Sequence, residues 1–192
     1  MLKRITLVGY RASGKSTVGP LLAKRLGWRF IDADRHVEQR LGQDIASYFA
    51  GHGEDAVRAH EAADVLDLLA GEGPLVLATG GGVVLREANR TCLRARGGLI
   101  VYLHASATVL QGRLRIHAGG RPSLSGKTVW EEVPDILAIR EPLYREVAAL
   151  VLDATRPPID SLATLIQTVD NLWLKPVDSL SKSSSKPSSP TG

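Results

Sequence analysis

The stretch GYRASGKST, residues 9–17, decides how the rest of the chain is read. From Gly9 to Ser16 it fits the spacing G-x-x-x-x-G-K-[ST]. It follows the apolar run 5–8 and opens a helical pattern over 15–26. Strand, glycine turn and helix in that order is the context of a phosphate-binding loop. Backbone N–H groups of such a loop turn inward as an anion nest, and the helix N-terminus adds partial positive charge. Ala12, Ser13, Gly14, Lys15, Ser16 and Thr17 are the nest residues expected here. Lys15 would reach the outer phosphates, and the Ser16 hydroxyl would hold Mg²⁺. The ligand predicted is a nucleoside triphosphate, taken to be ATP.

Outward from the loop, short apolar runs alternate with helical patterns. Runs of strand length lie at 5–8, 29–31, 75–78, 99–103 and 150–152. They are apolar without strict alternation, as in strands covered on both faces. Helical patterns fall at 15–26, 34–41, 44–50, 54–70, 86–96, 106–117, 127–147 and 159–172, with Asp44, Ser106 and Asp160 as candidate caps. Such alternation predicts an α/β fold with a parallel sheet and helices on both faces.

Composition sets the outer limits. The 192 residues are 44% apolar and 23% charged, ordinary for one globular domain with a real core. No apolar stretch is long enough to span a membrane. The first strand begins within a few residues of Met1, which leaves no room for a signal peptide and predicts a cytoplasmic protein. Cys92 is the single cysteine, so no internal disulfide can form, and it falls in a helical pattern as a structural residue. The formal charge is +4, of which +2 sits from residue 173 onward, where three lysines face one aspartate. What is left is too small for a nucleic-acid partner and suits a pocket for anionic ligands. His36, His52, His60, His104 and His117 show no metal-ligand spacing. The predicted division is a domain over 1–172 and a disordered Ser/Lys/Pro tail over 173–192.

Four later stretches resemble the shikimate kinases, from about residue 3 to about residue 172. "FIDADRHVE" (30–38) carries a D-x-D pair, and two acids two apart in an extended segment project the same way. "GHGEDAVRAHE" (51–61) puts Glu54, Arg58 and Glu61 on one helical face, which by itself also fits a solvated ion-pair ladder. "LATGGGVVL" (77–85) ends a strand in three glycines, whose missing side chains let a ligand approach the backbone. The fourth feature is a spread of arginines: Arg121 in "HAGGRPSL", Arg140 in "AIREPLYREV", Arg156 in "LDATRPPIDSL", and Arg113.

The resemblance implies roles for these residues. Asp32 would order the Mg²⁺ water shell, and Asp34 would meet the substrate hydroxyls and take a proton. Arg58 and Arg140 would fix the substrate carboxylate, with Glu61 holding Arg58, while Gly80, Gly81 and Gly82 would meet a substrate hydroxyl. Arg121, on a lid over 117–127, would neutralise the moving phosphoryl group. Arg113 would lie on one face of adenine, with Arg156 and Pro158 on the other. The implied fold is a P-loop, nucleoside monophosphate kinase-like five-stranded parallel sheet with a lid. The implied activity is transfer of the ATP γ-phosphate to shikimate by a monomer. Two positions depart from the family: Ala12 stands where most relatives have glycine, and Val57 where many have an aromatic. A gluconate-type or other small-metabolite kinase, or a non-catalytic nucleotide-binding module, remain as alternatives on the loop alone.

The tail has almost nothing to bury. Deleting residues 174–192 is expected to leave the melting temperature and turnover unchanged, as calorimetry and a kinase assay would measure.

Overall fold

The computed structural model describes residues 3–116, 127–156 and 158–173. Five parallel strands form one sheet in the order β2-β3-β1-β4-β5. They are β1 (Arg4–Val8), β2 (Arg29–Asp32), β3 (Leu75–Ala78), β4 (Leu99–His104) and β5 (Leu150–Asp153). All four pairings are parallel, so a helix must return the chain between strands. The helices are α1 (Lys15–Leu26), α2 (Ala33–Leu41), α3 (Ile45–Ala70), α4 (Glu87–Arg96), α5 (Ala107–Ile116), α6 (Val133–Val147) and α7 (Pro158–Trp173).

The strands bury both faces, as their composition predicts. Ile5 and Leu7 of β1, Val76 of β3, and Val101 and Leu103 of β4 face one core, closed by Val18 and Leu22 of α1, Leu110 of α5 and Leu165 of α7. Leu75 and Leu77, Ile100 and Tyr102 face the other, closed by Val65 and Leu69 of α3, Leu93 of α4 and Tyr144 of α6. The period of two along each strand sorts its side chains between these layers.

Helix boundaries follow local chemistry. Asp44 caps α3 by accepting from the Ser47 N–H at 2.8 Å, and Gly27 and Gly42, both left-handed, end α1 and α2. The expected helices 44–50 and 54–70 are two helical segments of α3 that meet at a kink at Gly53, where φ is 81° and ψ is 175°. The pattern over 127–147 becomes helical only at Val133. Before it, Thr128 gives its N–H and hydroxyl to the Glu131 carboxylate and its carbonyl accepts from the Glu131 and Glu132 N–H groups, a separately capped turn that leads into the helix. Asp160 lies in the first turn of α7 rather than at its cap, because Pro158 fits the first helical position and moves the start upstream. The helix also runs one residue past the predicted domain boundary at 172. Residues 174–192 of the predicted tail and residues 117–126 of the predicted lid lie outside the described residues.

The sheet edge opposite the phosphate loop is pinned by Arg4, which donates to the carbonyls of Leu69, Gly71 and Arg96. Gly98 sits against the same residue with φ +68°, and a Cβ there would lie 2.3 Å from the Arg4 carbonyl oxygen. Gly98→Ala is therefore expected to cost about 2 kcal/mol or more, from a left-handed backbone and a clash that only main-chain movement relieves. Urea unfolding measures the loss.

Candidate active site

The loop after β1 carries its strain at one residue. Ala12 has φ +61°, the one non-glycine with positive φ among the described residues. This is the conformation that the usual glycine would supply, and alanine holds it at a cost of roughly 1 kcal/mol. Gly14, at φ +102°, turns the chain into α1, where its carbonyl accepts from the Thr17 and Val18 N–H groups. Lys15 is buried, and its Nζ donates to the carbonyls of Gly9 at 2.7 Å and Tyr10 at 2.8 Å, with Ser13 Oγ at 3.4 Å. The ammonium thus rests on the rim of its own loop, while Ser16 and Thr17 are exposed.

The two acids after β2 part company. Asp32 ends the strand and Asp34 is the second residue of α2, so they do not project alike as an extended D-x-D would. The helix turns Asp34 away from its neighbour. Asp32 accepts from Ser16 Oγ at 2.6 Å and, through its other oxygen, from the Asp34 and Arg35 N–H groups. It caps α2 and faces the phosphate loop at once. Asp34 lines a cavity beside the loop, together with Arg11, Phe49, Arg58, Glu61 and Arg140.

The glycine run makes this cavity possible. A Cβ on Gly80 would lie 2.5 Å from Asp34 Oδ1, and one on Gly82 would lie 2.4 Å from Arg58 Nη1. At Gly81 the nearest side-chain atoms are the Tyr144 hydroxyl at 3.6 Å and Arg140 Nη1 at 3.7 Å. The missing side chains are thus replaced by an acid and two guanidinium groups from α2, α3 and α6.

Arg58 is both an ion-pair rung and a cavity wall. It donates through Nη1 to Glu61 at 2.6 Å and through Nη2 and Nε to Glu54 at 2.9 and 3.2 Å. Burial pushes the Glu61 carboxyl up despite Arg58. Burial also draws the Arg58 guanidinium down, but Glu61 and Glu54 together outweigh it, and the net direction is upward. The guanidinium therefore stays charged in a largely dry wall. Arg140, 5% exposed, is held by Tyr144, whose own hydroxyl donates to the Gly81 carbonyl. Burial pushes the Tyr144 phenol up, so it remains a neutral donor. Val57, itself buried, lines the cavity with Ile45 and Phe49, and the three supply its apolar wall.

On the far side of the loop, Arg113 donates to Ala12 O at 3.2 Å and to the carbonyls of Ala154, Thr155 and Arg156 at 2.7–3.3 Å. It ties the phosphate loop to the segment after β5, where Arg156 is exposed and Pro158 opens α7. Arg121 lies outside the described residues. Sequence reasoning missed Arg11, hidden as a variable position of the loop motif, and Glu132, a buried carboxylate that meets it from before α6.

A phosphate loop on the central strand of a five-stranded parallel sheet, opening on a cavity lined by carboxylates and three arginines, defines a P-loop kinase of small acids or alcohols. The family model described as shikimate kinase matches residues 11–170. Shikimate kinase 2 of Yersinia enterocolitica is 47% identical over 160 residues, 82% of this chain and 90% of that protein. The structure of shikimate kinase from Acinetobacter baumannii in complex with shikimate superposes with a TM-score of 0.83 at 35% identity, covering 91% of this chain and 97% of that one. The chain belongs to the shikimate kinase family. A gluconokinase from Sinorhizobium meliloti, at 24% identity and a TM-score of 0.58, shares the fold alone.

Gly82→Ala tests the glycine wall. The added methyl must displace Arg58, so affinity for shikimate, the ligand of the Acinetobacter enzyme, is expected to fall about tenfold or more while ADP binding holds. Gly51→Ala is the control, since nothing lies within 4 Å of a Cβ there. Calorimetric titration of both variants reads the difference.

Proposed function

We propose that this chain transfers the γ-phosphoryl group of ATP to the 3-hydroxyl of shikimate, giving shikimate 3-phosphate and ADP. The observation that carries the reading is the convergence of Asp34, Arg58 and Arg140 on one cavity walled by Gly80–Gly82 and open to the phosphate loop. Two guanidinium groups suit a planar carboxylate, and a carboxylate facing them at the loop side suits a hydroxyl that must lose a proton.

Each residue then has one task. Arg58 and Arg140 grip the shikimate carboxylate, with Glu61 and Glu54 keeping Arg58 in its plane. Gly80, Gly81 and Gly82 bring backbone close to a ring hydroxyl. Asp34 orients the attacking 3-hydroxyl and accepts its proton as the oxygen bonds to phosphorus. Lys15 exchanges its loop carbonyls for phosphate oxygens, and the N–H groups of residues 12–17 cradle the rest. Arg113, Arg156 and Pro158 border adenine. Arg121 adds charge to the transferring group. Little covalent chemistry falls to the protein, so positioning and charge carry the rate.

Mg²⁺ fits the oxygens at the loop mouth. The Ser16 hydroxyl and the Asp32 carboxylate are hard donors already within hydrogen-bond reach of each other. Such a pair suits an ion that keeps several waters and takes phosphate oxygens. When bound, the ion would neutralise phosphate charge, with Ser16 as ligand and Asp32 on its water shell. Among the described residues no set of three His, Cys, Asp or Glu offers another metal site. The reading takes the active form to be a monomer.

The test is ADP release with shikimate, quinate, gluconate and water as acceptors. Shikimate is expected to give the highest kcat/KM by a wide margin, and a preference for gluconate would replace the reading. Arg58→Ala and Arg140→Ala are each expected to weaken shikimate binding by about 2–5 kcal/mol, because the partner charge is left buried and unpaired, while ATP binding stays level. Unchanged shikimate affinity in both variants would dismiss the carboxylate clamp.

A further inference from the structure

Glu132 is a carboxylate with no exposed side-chain surface, standing just before α6. Burial penalises a charged carboxylate heavily unless a cation and hydrogen bonds compensate. Its cationic neighbour is Arg11, whose Nη1 lies 3.5 Å from Oε1. For stability alone, an apolar pair of the same volume would serve as well or better. A buried pair is more useful where it fixes the direction of a charge.

Arg11 is a charge worth directing. Its side chain is 11% exposed and lines the acceptor cavity with Asp34, Arg58 and Arg140. Its guanidinium carbon lies 5.8 Å from the centroid of the Tyr10 ring. Arg11, Glu132 and Arg140 are all close enough to act on the buried Tyr10 phenol. Ring and carboxylate thus hold the guanidinium from two sides. Arg58 and Arg140 rise from α3 and α6, on the acceptor side. Arg11 belongs to the phosphate loop itself and also lines the acceptor cavity, so it borders both sites.

We infer that Arg11 is a further catalytic arginine, which meets the phosphoryl group during transfer, and that Glu132 is a positioning residue acting only through Arg11. The inference rests on the phosphoryl-transfer reading of the site. Arg11 strengthens its contact as charge spreads over the equatorial oxygens, so it lowers the barrier more than it tightens either substrate. Glu132 touches neither ligand.

Arg11→Met, Glu132→Gln and the double variant separate these roles. Each is assayed for transfer to shikimate and titrated with ADP alone and with ADP, Mg²⁺ and aluminium fluoride, whose planar fluoride stands in for the phosphoryl group. Arg11→Met is expected to lower kcat about 10- to 100-fold and to weaken the fluoride complex comparably, with ADP affinity within about twofold. Glu132→Gln is expected to lower kcat about fivefold or more, and the double variant to be no slower than Arg11→Met, because the carboxylate has nothing left to aim. Multiplying effects in the double variant would make Glu132 merely structural and overturn its assignment. An Arg11→Met enzyme with normal kcat and a normal fluoride complex would overturn the whole inference, and this arm stands even if Glu132→Gln does not fold. If the wild-type chain does not phosphorylate shikimate, the functional reading fails, while the fluoride titration still decides whether Arg11 meets a transferring phosphoryl group.

Discussion

The pairing of β1 with β3 is the constraint on which the site depends. Thr6 stands opposite Leu77 and Leu7 opposite Ala78, and the ladder runs on past the strands, where Thr79 gives both its N–H and its hydroxyl to the Leu7 carbonyl. Two turns that begin 71 residues apart in the chain, at Gly9 and Gly80, therefore start side by side. One is the phosphate loop after Val8, the other the glycine run after Thr79. Parallel strands deliver both from the same edge, as open α/β sheets deliver their ligand sites. β2 pairs on the far side of β3, which brings Asp32 and Asp34 to that edge as well.

Glycine at 80–82 converts this adjacency into a site. Side chains there would occupy the space that Asp34 and Arg58 now fill. The charges so admitted are then restrained by others in turn: Arg58 by Glu54 and Glu61, Arg140 by Tyr144, Arg11 by Glu132. Such networks are costly to bury and poor at stabilising a fold. They fix guanidinium planes within the small tolerances that phosphoryl transfer rewards. The stability comes from elsewhere, from two apolar layers that flank the sheet and do not enter the cavity.

The same edge accommodates local strain. Ala12 keeps a left-handed backbone without glycine, and Arg113 spans from its carbonyl to those of residues 154–156. Bonds from one guanidinium to four carbonyls hold the loop against the relaxation that its φ would favour. The loop, the acceptor cavity and the segment after β5 are thus one connected frame around the central strand.

The amino-acid sequence by itself determined the phosphate loop, the strand and helix alternation, and the family resemblance, because these are local in the chain. A nest needs glycine and lysine at fixed spacing, and a buried strand needs an apolar run. It also marked Asp34, Arg58, Gly80–Gly82 and Arg140 as a set, but only through resemblance, since an ion-pair ladder and a flexible turn would read alike. Tertiary structure decided the rest. The strand order and the convergence of three helices on the glycine run depend on contacts between distant segments. The separation of Asp32 from Asp34 turned on where β2 stops and α2 begins, which propensity does not fix. Arg11 and Glu132 were invisible as a pair, because a loop position that tolerates many residues and a glutamate before a helix carry no signal until the fold buries them together.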